Sequence, residues 1–201
     1  MSESVLWTPP VGTGALIFDC DGTLADTMPT HYRAWTWMLD QYGIPFSSQQ
    51  FYEYAGIPTG RIIELLAQAS GIAVQDVSAM VRQKEQHYAG LIGSVTPIRP
   101  VLDIAARYRN RMPVAVASGG EGYVVAQTLA AIGAGDWFRV VVGAEDTQRH
   151  KPEPDVFLEA ARRLEVEPTL CVVFEDSDLG LLAAERAGMM GVDVRPWYTK
   201  S

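Results

Sequence analysis

The stretch IFDCDGTLADT, residues 17–27, carries an apolar run into two aspartates one residue apart, Asp19 and Asp21, with Gly22 directly after them. In extended chain, the i, i+2 spacing sends both carboxylates to the same side. Two such charges about 4 Å apart repel by roughly 4 kcal/mol at an effective dielectric of 20. Gly22 permits a sharp turn at that point. The pattern reads as a buried strand whose end opens onto a polar site, and whatever offsets the repulsion must come from elsewhere in the chain.

Working outward, four more short apolar runs read as buried strands: VAVAS (114–118), VVVGAE (140–145), LCVVFED (170–176) and GVDV (191–194). The first run is ALIFD (15–19). Helical patterns lie between the later ones, at 101–108, 123–133, 154–165 and 178–188, with Pro or Gly as punctuation at several of their ends. Apolar strands alternating with helices predict an α/β fold, a parallel sheet covered by helices on both faces. The segment from about 28 to 92 breaks this alternation. It holds only helical patterns, at 27–43, 60–71 and 77–92, and is too long for a crossover. We therefore expect residues 1–27 and 93–201 to form the α/β core and residues 28–92 an inserted all-helical cap, with hinges near Ala25–Met28 and Gly93–Pro97.

The chain has 201 residues, 48% of them hydrophobic, and a formal net charge of −8. No basic stripe is present to neutralise phosphates, which argues against a nucleic-acid partner. The start, MSESVLWTPP, lacks the positive and apolar segments of a signal peptide, and no apolar run is long enough to span a membrane. A cytoplasmic protein is expected. Cys20 and Cys171 fit a reduced compartment. About four residues at ~3.3 Å each would separate them along neighbouring strands, beyond disulfide reach, so both are expected to be inert core thiols. His87 and His150 read as solvent-facing, and the tail WYTKS as frayed. Gly12-Thr13-Gly14 precedes the first strand rather than following it, so it is not a nucleotide loop.

In an open parallel sheet, ligands bind beyond the carboxyl ends of the strands. Those ends are polar here: Asp19 and Asp21, then Ser118 with Gly119-Gly120, then Glu145-Asp146, then Glu175-Asp176. Carboxylates crowded from separate strands call for a hard divalent cation, and an all-oxygen ligand set favours Mg²⁺. Mg²⁺ commonly binds a substrate phosphate as well. Ser118 offers a hydroxyl, Gly119 an unobstructed N–H, and Lys151, in the proline-stiffened loop KPEPD, a fixed positive charge. The reaction class these groups suit is metal-assisted phosphoryl transfer with a carboxylate nucleophile.

DCDGTLADT, ASGG, KPEPD and EDSDLG, in that order, resemble the four motifs of the haloacid dehalogenase superfamily, and the resemblance spans essentially the whole chain. The helical insert is similar to the cap of the β-phosphoglucomutase-like branch, and within that branch to small fructose-1-phosphate and 6-phosphogluconate phosphatases. The resemblance implies a Rossmann-like core, with Asp19 as nucleophile and Asp21 as general acid, then base. The metal would be held by Asp19, the Asp21 carbonyl and Asp176, with Glu175 a direct or outer ligand. Ser118, Gly119 and Lys151 would hold the phosphoryl oxygens.

By the same resemblance, His31 and Trp35, four apart on the first cap helix, would face the site; the alternative is a helix-face residue for His31 and, with equal weight, a core aromatic for Trp35. In YAGIPTGRI (54–62), mutases of this branch carry a lysine and an arginine where this chain has Ala55 and Thr59; Arg61 is out of register. Missing cations argue for a substrate with one phosphate. The expected activity is hydrolysis of a small sugar phosphate through an aspartyl phosphate. A β-phosphoglucomutase is the alternative, and a phospho-accepting signalling domain, which has no such cap, a more distant one.

Overall fold

The computed structural model describes residues 7–54 and 57–198. Five strands, β1 (Ala15–Phe18), β4 (Val114–Ala117), β5 (Val140–Val142), β6 (Cys171–Glu175) and β7 (Met190–Asp193), form one parallel sheet in the order β5-β4-β1-β6-β7. Period-two alternation sorts their side chains between two cores. Leu16, Phe18, Val114, Val116, Val172 and Phe174 face one side, where α5 (Arg99–Tyr108) and α6 (Gly122–Ala131) cover them. Ala15, Ile17, Ala115, Ala117, Cys171 and Val173 face the other, under α7 (Asp155–Leu164) and α8 (Asp178–Arg186). Burial of both faces explains why the strands read as unbroken apolar runs. Cys20 and Cys171 are free and buried, in agreement with the expectation.

Between β1 and the rest of the sheet the chain leaves through β2 (Ala25–Asp26) and returns through β3 (Thr96–Pro97), which pair antiparallel. This ribbon lies where hinges were expected, although its pairing was not foreseen. Beyond it stand α1 (Met28–Asp40), α2 (Ser48–Glu53), α3 (Thr59–Ser70) and α4 (Val77–Leu91), which share an apolar core of Trp35, Met38, Leu39, Ile63, Leu66 and Met80. The short α2 escaped the sequence reading because six residues give too few turns for a periodic pattern. Its signal was the cap instead: Ser47 Oγ accepts from the Gln50 N–H, and the Gln50 side chain answers to the Ser47 backbone. Asp76 and Ser177 cap α4 and α8 by the side chain alone, accepting from the Ala79 and Gly180 N–H groups.

Two expectations are corrected. Trp197 and Tyr198 pack against the first core, and the Tyr198 hydroxyl donates to the Gly22 carbonyl, so this part of the tail is not frayed. Thr199–Ser201 lie outside the described residues. His87 and His150 are half-buried rather than solvent-facing, and His87 stacks on Trp37 with ring centroids 4.0 Å apart. No helix among the described residues is long and apolar enough to cross a membrane.

Candidate active site

Parallel register brings the acids together. Phe18 pairs with Phe174, and the Asp19 N–H donates to the Phe174 carbonyl, so Asp19 leaves β1 beside Glu175 and Asp176 at the end of β6. Oxygens of these three carboxylates lie within 4.8 Å of one another, and all three residues are buried. Gly22 turns the chain away at φ +80°, and a Cβ there would run into the Asp176 carboxylate. Gly180, at the start of α8, likewise leaves room for the carboxylate of Glu175.

Lys151 stands among these acids. Its ammonium donates to Asp19 Oδ1 and to Glu175 Oε2, each at 2.7 Å. Burial by itself would lower this ammonium's pKa, but the two carboxylates hold it above the ordinary lysine range. Burial, and next the charge of Glu175, push the Asp19 carboxyl well above its usual range, and Lys151 offsets only part of that. Glu175 Oε1 accepts from the Asp176 and Ser177 N–H groups and the Ser177 hydroxyl, while Oε2 takes Lys151. Its role in the geometry is to anchor Lys151 and the loop after β6.

Asp21 faces the helical insert instead. His31 Nε2 lies 3.2 Å from Asp21 Oδ1, and Lys84 Nζ lies 3.0 Å from His31 Nδ1. An ammonium can only donate. Nδ1 therefore accepts, the imidazole proton sits on Nε2, and His31 donates it to Asp21. Burial, then the Lys84 charge, lowers the His31 pKa and keeps the ring neutral. Burial would raise the Asp21 carboxyl, but the hydrogen bond from His31 and the Lys84 charge oppose it and draw it below its ordinary range. The His31 ring lies flat on Tyr88, centroids 3.9 Å apart.

One cavity is lined by Asp19, Asp21, His31, Trp35, Thr59, Ser118, Gly119, Lys151, Glu175 and Asp176, so the structure brings these ten expected residues together. Trp35 serves both purposes weighed for it, being a wall of the cavity and a member of the helical core. Glu145 and Asp146 do not join. Glu145 accepts from the Gly122 N–H and Asp146 pairs with Arg163, because a 3₁₀ turn at Ala144–Asp146 carries them away from the rim. Ala55 lies outside the described residues, and Arg61 is exposed and paired with Glu64.

Lys84 and Glu85 were missed. QKEQ reads as a solvated charged run, yet both residues are buried and line the cavity. The available signal was the spacing of Met80, Lys84 and Tyr88, four apart on one helix face whose other members are buried.

Asp19, Glu175 and Asp176 supply only oxygen donors, and Lys151 neutralises the cluster incompletely. That donor set fits a hard cation such as Mg²⁺. Phosphate oxygens would meet Ser118, whose Oγ is already oriented by the Gly120 N–H at 3.0 Å, together with the N–H of Gly119 and the Lys151 ammonium.

Comparison with known proteins agrees with this geometry. The haloacid dehalogenase-like hydrolase family matches residues 16–194. The chain is 42% identical over 181 residues to the fructose-1-phosphate phosphatase YqaB of Escherichia coli, covering 90% of this chain and 95% of that protein. It is 30% identical to the β-phosphoglucomutase of Bacillus subtilis, covering 90% and 82% of the two chains. Its fold is similar to that of CbbY from Rhodobacter sphaeroides in complex with phosphate, with a TM-score of 0.82 at 26% identity, over 89% of this chain and 84% of that one. A match that runs from β1 to the end of β7, over a strand-end site of this chemistry, places the chain in the haloacid dehalogenase-like hydrolase family, as an Mg²⁺-dependent phosphomonoesterase.

Proposed function

We propose that the protein hydrolyses a small sugar phosphate, such as fructose 1-phosphate or 6-phosphogluconate, through an aspartyl phosphate on Asp19. The observation that carries this reading is the position of Asp19: Oδ1 sits 2.7 Å from a buried lysine, in a cavity whose far wall, among the described residues, has no spare cation for a second phosphate. Asp19 attacks phosphorus while Asp21 gives a proton to the leaving sugar oxygen. Asp21 then takes a proton from the water that frees inorganic phosphate. Alone, Asp21 is ionised and suited to the second step. An arriving phosphate dianion raises its pKa by like-charge repulsion, which suits it to the first. Mg²⁺, held by Asp19, Asp176 and the Asp21 carbonyl, would neutralise phosphoryl charge. Ser118, Gly119 and Lys151 bind the phosphoryl oxygens, Glu175 anchors Lys151, and His31, Trp35 and Thr59 form the substrate wall.

Residues 28–92 act in this reading as a cap over a core of residues 1–27 and 93–201, and the protein works in the cytoplasm, where reduced Cys20 and Cys171 are at home. The test is phosphate release from a panel including both sugar phosphates, with and without EDTA. Release is expected to require the metal and to vanish in Asp19→Asn; activity that survives either change overturns the proposal. The likeness of 30% to a mutase motivates a second assay, conversion of β-glucose 1-phosphate to glucose 6-phosphate. Turnover there well above phosphate release would favour a mutase.

A further inference from the structure

Glu85 is a carboxylate with half of its bonding capacity unused. Its Oε1 accepts from Lys84 Nζ at 2.8 Å and from Thr59 Oγ1 at 3.4 Å. Its Oε2 is buried and has no hydrogen-bond partner among the described residues. The residue is 6% exposed and lines the same cavity as Asp19, across from the phosphoryl site. A buried oxygen of this kind is costly unless something donates to it, and an ionised carboxylate can only accept. The missing partner is therefore a donor delivered into the cavity. On this wall the cation is Lys84, and Glu85 cancels its charge; the neighbouring wall residues Phe51, Ile57 and Ile62 are apolar. Arg82, on the outer side, is largely exposed and lies 3.8 Å from Asp76.

Building on the sugar-phosphate reading above, we propose that Glu85 determines specificity. Its Oε2 accepts a hydrogen bond from a hydroxyl of the leaving group, and a carboxylate or a second phosphate at that end is turned away because it has no proton to donate to Oε2 and meets no net positive charge from the Lys84–Glu85 pair. This face of α4 thus selects a neutral polyol over an anion, and of the two substrates named above it selects fructose 1-phosphate.

The test uses the full chain with Mg²⁺ and compares kcat/KM for fructose 1-phosphate, 6-phosphogluconate, fructose 1,6-bisphosphate and n-hexyl phosphate. Wild type is expected to favour fructose 1-phosphate at least tenfold over each of the others. In Glu85→Gln the carboxylate is gone and Lys84 is released to face the cavity. We expect kcat/KM for fructose 1-phosphate to fall about tenfold, that for both anionic substrates to rise, and the preference to drop at least thirtyfold. If the variant does not fold, the wild-type series still decides: equal use of hexyl phosphate or of the bisphosphate overturns the role of Glu85. So does an active variant whose preference is unchanged within threefold. No phosphate release from any member of the panel overturns the underlying phosphatase reading as well.

Discussion

Asp19 shares the Lys151 ammonium with Glu175, each at 2.7 Å, and has the carboxylates of Glu175 and Asp176 close by. Asp19→Asn keeps the shape, removes one repelling charge and deletes the nucleophile. It is expected to abolish phosphate release by at least about a thousandfold while leaving the melting temperature within a few degrees of wild type, read by a phosphate assay and a thermal melt on the same sample. His31 gives an independent check on the arrangement around Asp21. Burial and the Lys84 charge both depress its pKa. In Lys84→Gln the charge is lost while burial remains, so the imidazole is expected to titrate at a higher pH than in wild type, measured by NMR of the ring carbons. An unchanged midpoint would remove Lys84 from the account of the His31 tautomer. The sequence marked this lysine only by its spacing with Met80 and Tyr88, because a charged residue is ordinarily read as solvent-facing, and the packing of α4 against α1 is what buries it.

Among the elements, the turn after β1 depends on Gly22 for two reasons, its φ of +80° and the Asp176 carboxylate that a Cβ would strike. Gly22→Ala is expected to cost about 2 kcal/mol or more and to displace the acids, seen as a lower denaturation midpoint together with lost activity. Helix α7 carries a different device. Glu159 is held at about 2 by hydrogen bonds from Arg162 and Arg163, and Arg163 also reaches Asp146. A carboxyl depressed in the folded state stabilises above its unfolded pKa near 4.3, and that stabilisation drains away as pH falls toward 2. Glu159→Gln should therefore cost about 1 kcal/mol at neutral pH, with the gap to wild type closing in acid, measured by urea unfolding from pH 7 to 2.5. The periodicity of α1 and of α3 to α8 was plain in the sequence. The β2–β3 ribbon was not, since two residues per strand carry no pattern and their pairing joins Ala25 to Pro97 and Asp26 to Thr96, across the whole insert.

Across the whole molecule, the helical insert meets the core through α4. The Tyr88 hydroxyl lies 3.0 Å from Thr128 Oγ1 on α6, and Ala34, Tyr88 and Val124 share a small apolar cluster. That contact holds the Lys84–Glu85 wall over the strand-end acids. The acids themselves make the fold a partner in cation binding, because a ligand that binds only the folded state stabilises it. At about one hundred times its dissociation constant, Mg²⁺ should contribute about 2.7 kcal/mol, or a rise of roughly 5–10 °C in Tm for a chain of this size. Melting in Mg²⁺ against EDTA measures this, and the rise is expected to shrink to near zero in Asp176→Asn. A shift of equal size in that variant would place the ion elsewhere.

What the sequence determined by itself was the parallel sheet, the helical insert and the acids at the strand ends. Two-sided burial writes itself as apolar runs, and the groups that handle phosphate must follow those runs directly. What only the tertiary structure decided was the direction each polar end takes and the character of the far wall. Glu145 and Asp146 end a strand as Glu175 and Asp176 do, yet a single 3₁₀ turn sends them to Gly122 and Arg163. Lys84 and Glu85 look like any exposed pair until α4 is packed, because burial of a charge is set by neighbours that come from distant parts of the chain.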